Sequence, residues 1–189
     1  MKISKPEPPK LFELDETIFR PESPLTMGMS RVAIGKYFED RSAIYLKGRI
    51  CLDQANCDYC PDVRVMIGRI PHFWEVKAVG RSNQIMVYKD RLEKDCKFVS
   101  MGNRLEYFIW SHRVKVHDGI TYKELIDKLN RGEKRLYSIP FTQLRHVLEG
   151  KPLRKLNGDG YGEGSSSGRW GYRASLSLFQ NYFVETING

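Results

Sequence analysis

The sequence has few cysteines, few histidines and no long apolar run. Its 189 residues include four cysteines, too few for the dense disulfide framework of a small secreted domain. No stretch approaches the roughly eighteen consecutive apolar residues of a membrane-spanning helix. Residues 1–10 contain three prolines instead of the apolar core of a signal peptide. We therefore expect a cytoplasmic protein that is neither secreted nor inserted in a membrane.

Acidic residues are also relatively scarce. The chain has 31 Lys and Arg residues against 23 Asp and Glu residues, which gives a formal net charge of +8. Such a surplus favours polyanionic partners, and composition alone leaves open whether these are nucleic acid or an acidic membrane surface. The 41% apolar fraction is enough for one ordinary hydrophobic core in a chain of this length.

The cysteine spacing suggests one metal site. Cys51, Cys57 and Cys60 supply three thiolates at close spacing, and Cys96 or His72 could provide the fourth ligand of a tetrahedral zinc site. A single Cys-x-x-Cys pair is a weak signal. The alternative is that these cysteines are small buried hydrophobic residues without a metal.

Apolar periodicity and turn residues divide the chain into three parts. Residues 1–25 contain five prolines and are predicted to be an arm lying on the domain, and residues 26–155 form the domain itself. Residues 156–189 hold a loop rich in Gly and Ser, predicted over 157–168, and a strand or helix that packs on the domain, predicted over 174–184.

Within the domain the spacing of apolar residues predicts an alternation of helices and strands. The predicted helices are 26–47, 82–96, 122–130 and 142–149. The predicted strands are 49–52, 62–67, 73–77, 105–110 and 113–117. This order is typical of a mixed α/β domain with one central sheet.

The most informative charged residues lie on the two predicted strands in the middle of the domain. Side chains alternate along a strand, so Glu75 and Lys77 project from the same face. Asp62 opens the preceding strand, and a hairpin between the two strands would bring its carboxylate beside Glu75. Paired carboxylates of this kind bind a hard divalent cation such as Mg²⁺.

A phosphodiester suits such a group of residues. Its hydrolysis needs a cation on the phosphate and a water made nucleophilic at neutral pH. Lys77, near the metal and the phosphate, could orient or deprotonate that water and offset charge in the transition state. The residues themselves therefore favour metal-assisted phosphodiester hydrolysis.

The segment resembles the PD-(D/E)XK nucleases, the restriction-endonuclease-like superfamily, through Pro61, Asp62, Glu75 and Lys77. The resemblance covers roughly residues 28–117 and implies an αβββαβ core with a mixed central sheet flanked by helices. It also implies that Glu39, four residues after a glycine in the first helix, is an auxiliary acid at the metal.

Three further implications follow from the resemblance. Gln84, placed at the start of the second predicted helix, is similar to a glutamine that some members hold near the site. Asp62, Glu75 and Glu39 are the implied ligands of Mg²⁺ or Mn²⁺. The implied substrate is DNA, cut by an endonuclease that could act as a homodimer or within a larger nucleoprotein complex.

Two other functions remain compatible with the sequence. The cysteines and the positive charge also suit a noncatalytic, zinc-stabilised nucleic-acid-binding module. An inactive nuclease-fold subunit of a nucleoprotein assembly is the third interpretation, because a shared core does not define a function.

Overall fold

The computed structural model describes residues 20–51, 60–156 and 169–188. Its helices are α1 (Met27–Tyr45), α2 (Lys89–Ser100), α3 (Tyr122–Arg131), α4 (Phe141–Glu149) and a 3₁₀ helix (Leu176–Tyr182). Its strands are β1 (Pro24–Leu25), β2 (Arg49–Ile50), β3 (Val63–Ile67), β4 (Ile70–Val79), β5 (Gln84–Tyr88), β6 (Arg104–His112), β7 (Ile120–Thr121), β8 (Lys134–Pro140), β9 (Arg154–Leu156), β10 (Arg169–Ser175) and β11 (Phe183–Ile187).

A six-stranded mixed sheet forms the centre of the domain. Its strand order is β11-β8-β6-β4-β3-β2. The pair β4 and β6 is parallel, with Glu75 opposite Tyr107, and every other neighbouring pair is antiparallel. The parallel step needs a crossover, which β5 and α2 provide. The predicted mixed α/β fold with a central sheet flanked by helices is confirmed.

Each face of this sheet carries its own apolar core. On one face α1 and α3 pack against the sheet, with Phe38, Trp74, Phe108 and Trp110 all nearly or fully buried. On the other face α2, α4, the 3₁₀ helix and a second sheet of order β5-β10-β9 cover residues such as Tyr107. The central strands are therefore covered on both sides, as in other layered α/β domains.

Local capping and a close approach define the first helix. The Thr26 hydroxyl accepts a hydrogen bond from the Met29 backbone N–H, which satisfies one free donor at the start of α1. Gly48 follows the helix where a Cβ atom would lie 2.8 Å from the Val65 Cγ2 atom and 2.9 Å from the Val63 Cγ1 atom. The chain can therefore turn tightly from α1 into β2, and the predicted helix over 26–47 is confirmed.

The hairpin of β3 and β4 also agrees with the sequence. Val63 pairs with Trp74 and Ile67 with Ile70, across a turn in which Gly68 has a φ of 65°. Such a φ favours glycine. The predicted strand over 105–110 and the predicted helices over 122–130 and 142–149 are likewise present, within one to two residues at each end.

Two predicted elements are wrong. Residues 82–96 do not form one helix, because β5 occupies 84–88 and α2 begins only at Lys89. Ile85 and Val87 are buried while Met86 between them is exposed, which is the alternation of a strand. Residues 113–117 form no strand and run as irregular chain, with Val114 and Val116 packed against the first core.

The element predicted over 174–184 divides into three. It contains the end of β10, the 3₁₀ helix and the start of β11. The predicted loop over 157–168 and most of the predicted arm over 1–25 lie outside the described residues. Among the helices of the described ranges, none is long and apolar enough to span a membrane.

Candidate active site

Glu75 and Lys77 lie on the same face of β4, as their alternation predicts. Their neighbours Phe73 and Val79 on that face pack into the core beneath α2 and the second sheet, whereas Trp74 and Val76 pack into the opposite core. The Lys77 Nζ atom lies 2.5 Å from the Glu75 Oε1 atom, with Lys77 donating. Acid and base therefore form a direct ion pair.

Asp62 precedes β3, and its side chain faces β4. Its Oδ2 atom accepts a hydrogen bond of 2.7 Å from the backbone N–H of Val76, the residue between Glu75 and Lys77. The antiparallel register continues this contact, because Val63 pairs with Trp74. The hairpin thus brings the Asp62 carboxyl beside both charged residues of β4.

Glu39 approaches from α1 and is half-buried. Burial raises the pKa of Glu39; the charges of Asp40 and Glu75 add to the rise, while Lys36 and Lys77 oppose it. α1 packs against β3 and β4, and within the described residues Glu39 acts on Glu75 and Lys77 through its charge, without a hydrogen bond or ion pair to either. We call Glu39, Asp62, Glu75 and Lys77 the charged cluster.

Among the acids of the charged cluster, Asp62 has the most strongly raised pKa. Burial first, then the negative charges of Glu75 and Glu39, raises the pKa of Asp62 to about 7, although Lys77 and the Val76 N–H oppose the rise. Perturbed carboxyl groups of this kind concentrate at functional sites. A cation placed among the acids would relieve their repulsion.

Lys77 remains charged in this environment. Burial lowers its pKa, but the negative charges of Glu75 and Asp62 and the hydrogen bond to Glu75 outweigh burial, so the pKa of Lys77 is raised overall. Its side chain is 32% exposed, whereas that of Glu75 is 2% exposed. Lys77 is therefore the member of this pair that a solvent-borne group can reach.

Arg91 is a residue that the sequence analysis missed. It lies in the first turns of α2 and pairs with the second oxygen of Glu75, and its Nε atom lies 3.4 Å from the Asp95 Oδ1 atom. Asp95 in turn accepts a hydrogen bond from the Tyr107 hydroxyl. No spacing rule links Arg91 to Glu75, because the contact depends on how α2 crosses the sheet.

The other sequence-predicted site residues lie elsewhere. Gln84 starts β5 rather than a helix, pairs in register with Ser175, and makes no hydrogen bond or ion pair with the charged cluster. Cys96 lies half-buried on α2, where burial raises the pKa of its thiol. Cys51 and Cys60 are half-buried at the approach to the hairpin, and Cys57 lies outside the described residues.

The donor chemistry of the charged cluster can be compared with what a metal requires. Its three carboxylates are hard oxygen ligands, which suit Mg²⁺ or Mn²⁺. Within residues 20–51, 60–156 and 169–188, however, no group of three or more His, Cys, Asp or Glu side chains is arranged to hold a metal ion. Both oxygens of Glu75 are already engaged, by Lys77 and Arg91. The ligand types fit a metal, whereas the side-chain positions form no coordination shell.

Comparisons with known proteins give little. No family model matches the chain, and no curated protein matches it. A solved structure of Hjc, a Holliday junction resolvase from Archaeoglobus fulgidus, superposes with a TM-score of 0.42 at 13% sequence identity, over 80% of this chain and 90% of that chain. A superposition this loose is too weak to transfer a function.

Proposed function

We propose that the chain is a divalent-metal-dependent endonuclease that hydrolyses DNA phosphodiester bonds. The observation that supports it is the joint position of Asp62, Glu75 and Lys77, with Glu75 and Lys77 paired on one face of β4 and Asp62 bonded to the backbone between them. The resemblance to PD-(D/E)XK nucleases rests on these same residues. The net charge of +8 supports a polyanionic substrate.

Each residue of the charged cluster has a role in this proposal. Asp62, Glu75 and Glu39 would hold Mg²⁺ or Mn²⁺, which supplies charge neutralisation at the phosphate and a more acidic water. Lys77, partly exposed beside Glu75, orients the attacking water and stabilises the charge that develops on the phosphate. Because Arg91 holds one oxygen of Glu75, metal binding requires that this ion pair loosen.

A noncatalytic nucleic-acid-binding subunit is the second candidate. The double engagement of Glu75 by Lys77 and Arg91 favours it, since a buried acid neutralised by two cations needs no metal. Zinc stabilisation of such a module would require Cys57, of which the structure describes nothing, to join Cys51 and Cys60, with Cys96 or His72 as the fourth ligand. The two candidates differ in whether divalent cations cause DNA cleavage.

Cleavage assays on several DNA forms test the proposal. The purified chain is incubated with supercoiled plasmid, linear duplex, single-stranded circle and four-way junction, each with Mg²⁺, Mn²⁺ or EDTA. We expect cleavage that requires the cation and is lost in Asp62→Asn and Lys77→Met. The matched control is Glu124→Gln with Lys128→Met, which removes an exposed ion pair from α3 and should leave cleavage unchanged.

Two outcomes would reject the nuclease. If no DNA form is cut with either cation while the chain binds DNA, the noncatalytic candidate is correct. If Asp62→Asn and Lys77→Met both cut at the wild-type rate, the activity belongs to other residues or to a contaminant. Sedimentation velocity on the same samples tests whether the chain forms a homodimer, because duplex cutters often pair two active sites across a two-fold axis.

A further inference from the structure

The tip of the β3–β4 hairpin extends beyond the strands on either side of it. β2 pairs with β3 only at Val63 and Arg64, and β6 begins its pairing with β4 at His72. Among the described residues, 66–71 therefore pair only with one another. A two-stranded tip has little stability of its own and relies on the sheet that supports it.

This tip exposes large apolar side chains. Met66, Ile67 and Ile70 are 53%, 53% and 52% exposed, and they follow one another around the turn at Gly68. Ile67 and Ile70 are a cross-strand pair on one face of the tip, and Met66 projects from the other face. All three exposed apolar side chains therefore lie around a single protruding turn. Surfaces of this kind usually mark a contact with a partner.

The charge of the hairpin indicates which partner it fits. Between Val63 and Phe73 the sequence contains Arg64, Arg69 and His72 but no acidic residue. Arg64 and Arg69 are both exposed, and neither forms an ion pair within the part of the chain that the structure describes. A second copy of this chain would bring like charges together, whereas a polyanion would neutralise them.

The tip is also continuous with the charged cluster. Arg64 lies in β3, two residues after Asp62, so both side chains leave the same face of the hairpin about 7 Å apart. Ile70 lies five residues from Glu75 along β4, which places the tip about 17 Å from the acids. By the same alternation Arg64 and Met66 share the face of Glu75 and Lys77, whereas Ile67 and Ile70 lie on the other face. A nucleic acid bound at Lys77 and Arg64 could therefore take the turn at Gly68, with both of its faces, into a groove.

We propose that the hairpin tip, residues 64–71, is a nucleic-acid docking arm. Arg64 and Arg69 bind phosphates that flank the one at Lys77, and Met66, Ile67 and Ile70 pack against bases exposed in a groove or at an unstacked step. The proposal rests on the proposed function for the position of the scissile phosphate, and it adds a binding surface outside the charged cluster.

Equilibrium binding in EDTA separates this proposal from cleavage. Fluorescence anisotropy of a labelled 30-base-pair duplex and of a four-way junction is measured over a range of salt concentrations. Each phosphate contact contributes about 0.9 to the slope of log affinity against log salt concentration. We expect the double variant Arg64→Ala, Arg69→Ala to reduce the magnitude of that slope by about 2.

The apolar residues should behave differently. The triple variant Met66→Ser, Ile67→Ser, Ile70→Ser should weaken binding about tenfold with an unchanged slope, because it removes apolar burial and no phosphate contact. As a matched apolar control, Leu178→Ser with Val184→Ser changes two exposed residues at or near β11, on the opposite edge of the main sheet.

A charge control keeps the test specific. Arg113→Ala with Arg131→Ala removes two exposed arginines away from the hairpin, with Arg113 just beyond the far end of β6. Circular dichroism and thermal melting establish that each variant is folded. The controls should bind within about twofold of the wild type, since distant surface charges are largely screened by salt.

Three results would overturn the docking arm. The first is an unchanged affinity and slope in both hairpin variants. The second is an equal loss in the control variants, which would indicate general electrostatic attraction. The third is a shift from dimer to monomer in the Met66, Ile67 and Ile70 variant with DNA affinity retained, which would make the tip a subunit contact. Hairpin-dependent binding without cleavage would reject the nuclease alone, and cleavage by a chain whose affinity and slope are unchanged in both hairpin variants would reject the arm alone.

Discussion

Replacing Asp62 with asparagine should stabilise the fold while it abolishes the proposed DNA cleavage. Burial and the charges of Glu75 and Glu39 raise the pKa of Asp62 from 3.8 to about 7. One pKa unit corresponds to about 1.36 kcal/mol, so ionised Asp62 costs the folded state up to about 4 kcal/mol. Asp62 is only half-buried, and solvent screening reduces this figure, so we expect a gain of about 2 kcal/mol at pH 8.

The sign of the pH dependence follows from the same shift. Because the pKa of Asp62 is higher in the folded state, the folded chain binds more protons than the unfolded chain between about pH 4 and pH 7. The contribution of Asp62 to wild-type stability therefore falls as pH rises through that window. The advantage of Asp62→Asn should be largest at pH 8 and less than half as large at pH 5. The asparagine oxygen can still accept the Val76 N–H hydrogen bond.

Urea unfolding of both proteins at pH 5 and pH 8 measures the effect. Millimolar Mg²⁺ provides a second arm, because a bound cation should stabilise the wild type more than Asp62→Asn. The reasoning is refuted if Asp62→Asn is less stable than the wild type at pH 8, or if its advantage is the same at both pH values. If the fold gains stability when Asp62 is neutralised, the wild-type chain gives up stability in order to keep an acid that the proposed activity requires.

Three further predictions concern the support of the two cores. Lys134 is 1% exposed, and its ammonium group donates to three carbonyl oxygens at the end of α3, two of them at 2.7 Å. Lys134→Met should lower the free energy of unfolding in urea by about 2–4 kcal/mol, because those acceptors lose a charged donor. Burial, followed by the charge of Lys134, lowers the pKa of His112 to about 4. His112 should therefore contribute a rise in stability of up to about 3 kcal/mol between pH 4 and pH 6.5, which opposes the fall contributed by Asp62. That rise should be smaller in His112→Phe, and an unchanged pH profile would contradict the assignment. A Cβ atom at Gly171 would lie 2.6 Å from both the Leu156 Cδ1 atom and the Val87 carbonyl oxygen. Gly171→Ala should therefore lower the free energy of unfolding by about 1–3 kcal/mol and the melting temperature by several degrees. An unchanged melting temperature would show that the second sheet adjusts freely.

The β3–β4 hairpin and the shared position of Glu75 and Lys77 could be predicted from the sequence because the deciding information is local. Alternation of Val63, Val65 and Ile67 defines one face of a strand, and the same alternation places Glu75 and Lys77 together. Asp62 needed only one hairpin to reach them. No long-range contact had to be known in advance for these residues.

The crossover after β4 was predicted wrongly because its deciding information is remote. Ile85 and Leu92 lie at a spacing that also fits a helix, and the choice between helix and strand depends on a partner. That partner is β10, whose Ala174 pairs with Ile85 across almost ninety residues. Arg91 was missed for a related reason, since its contact with Glu75 exists only once α2 packs on the sheet.

The segment 169–188 supplies a strand to both sheets: β10 lies between β5 and β9 in the second sheet, and β11 is an edge strand of the main sheet beside β8. The pairing of β10 with β5 joins parts of the chain that leave the ribosome far apart in time. Until this segment emerges, Ile85 and Val87 lie on an unpaired strand, whose free backbone N–H and C=O groups can pair with another chain. Synthesis of this protein should therefore depend on chaperones more than its modest length suggests.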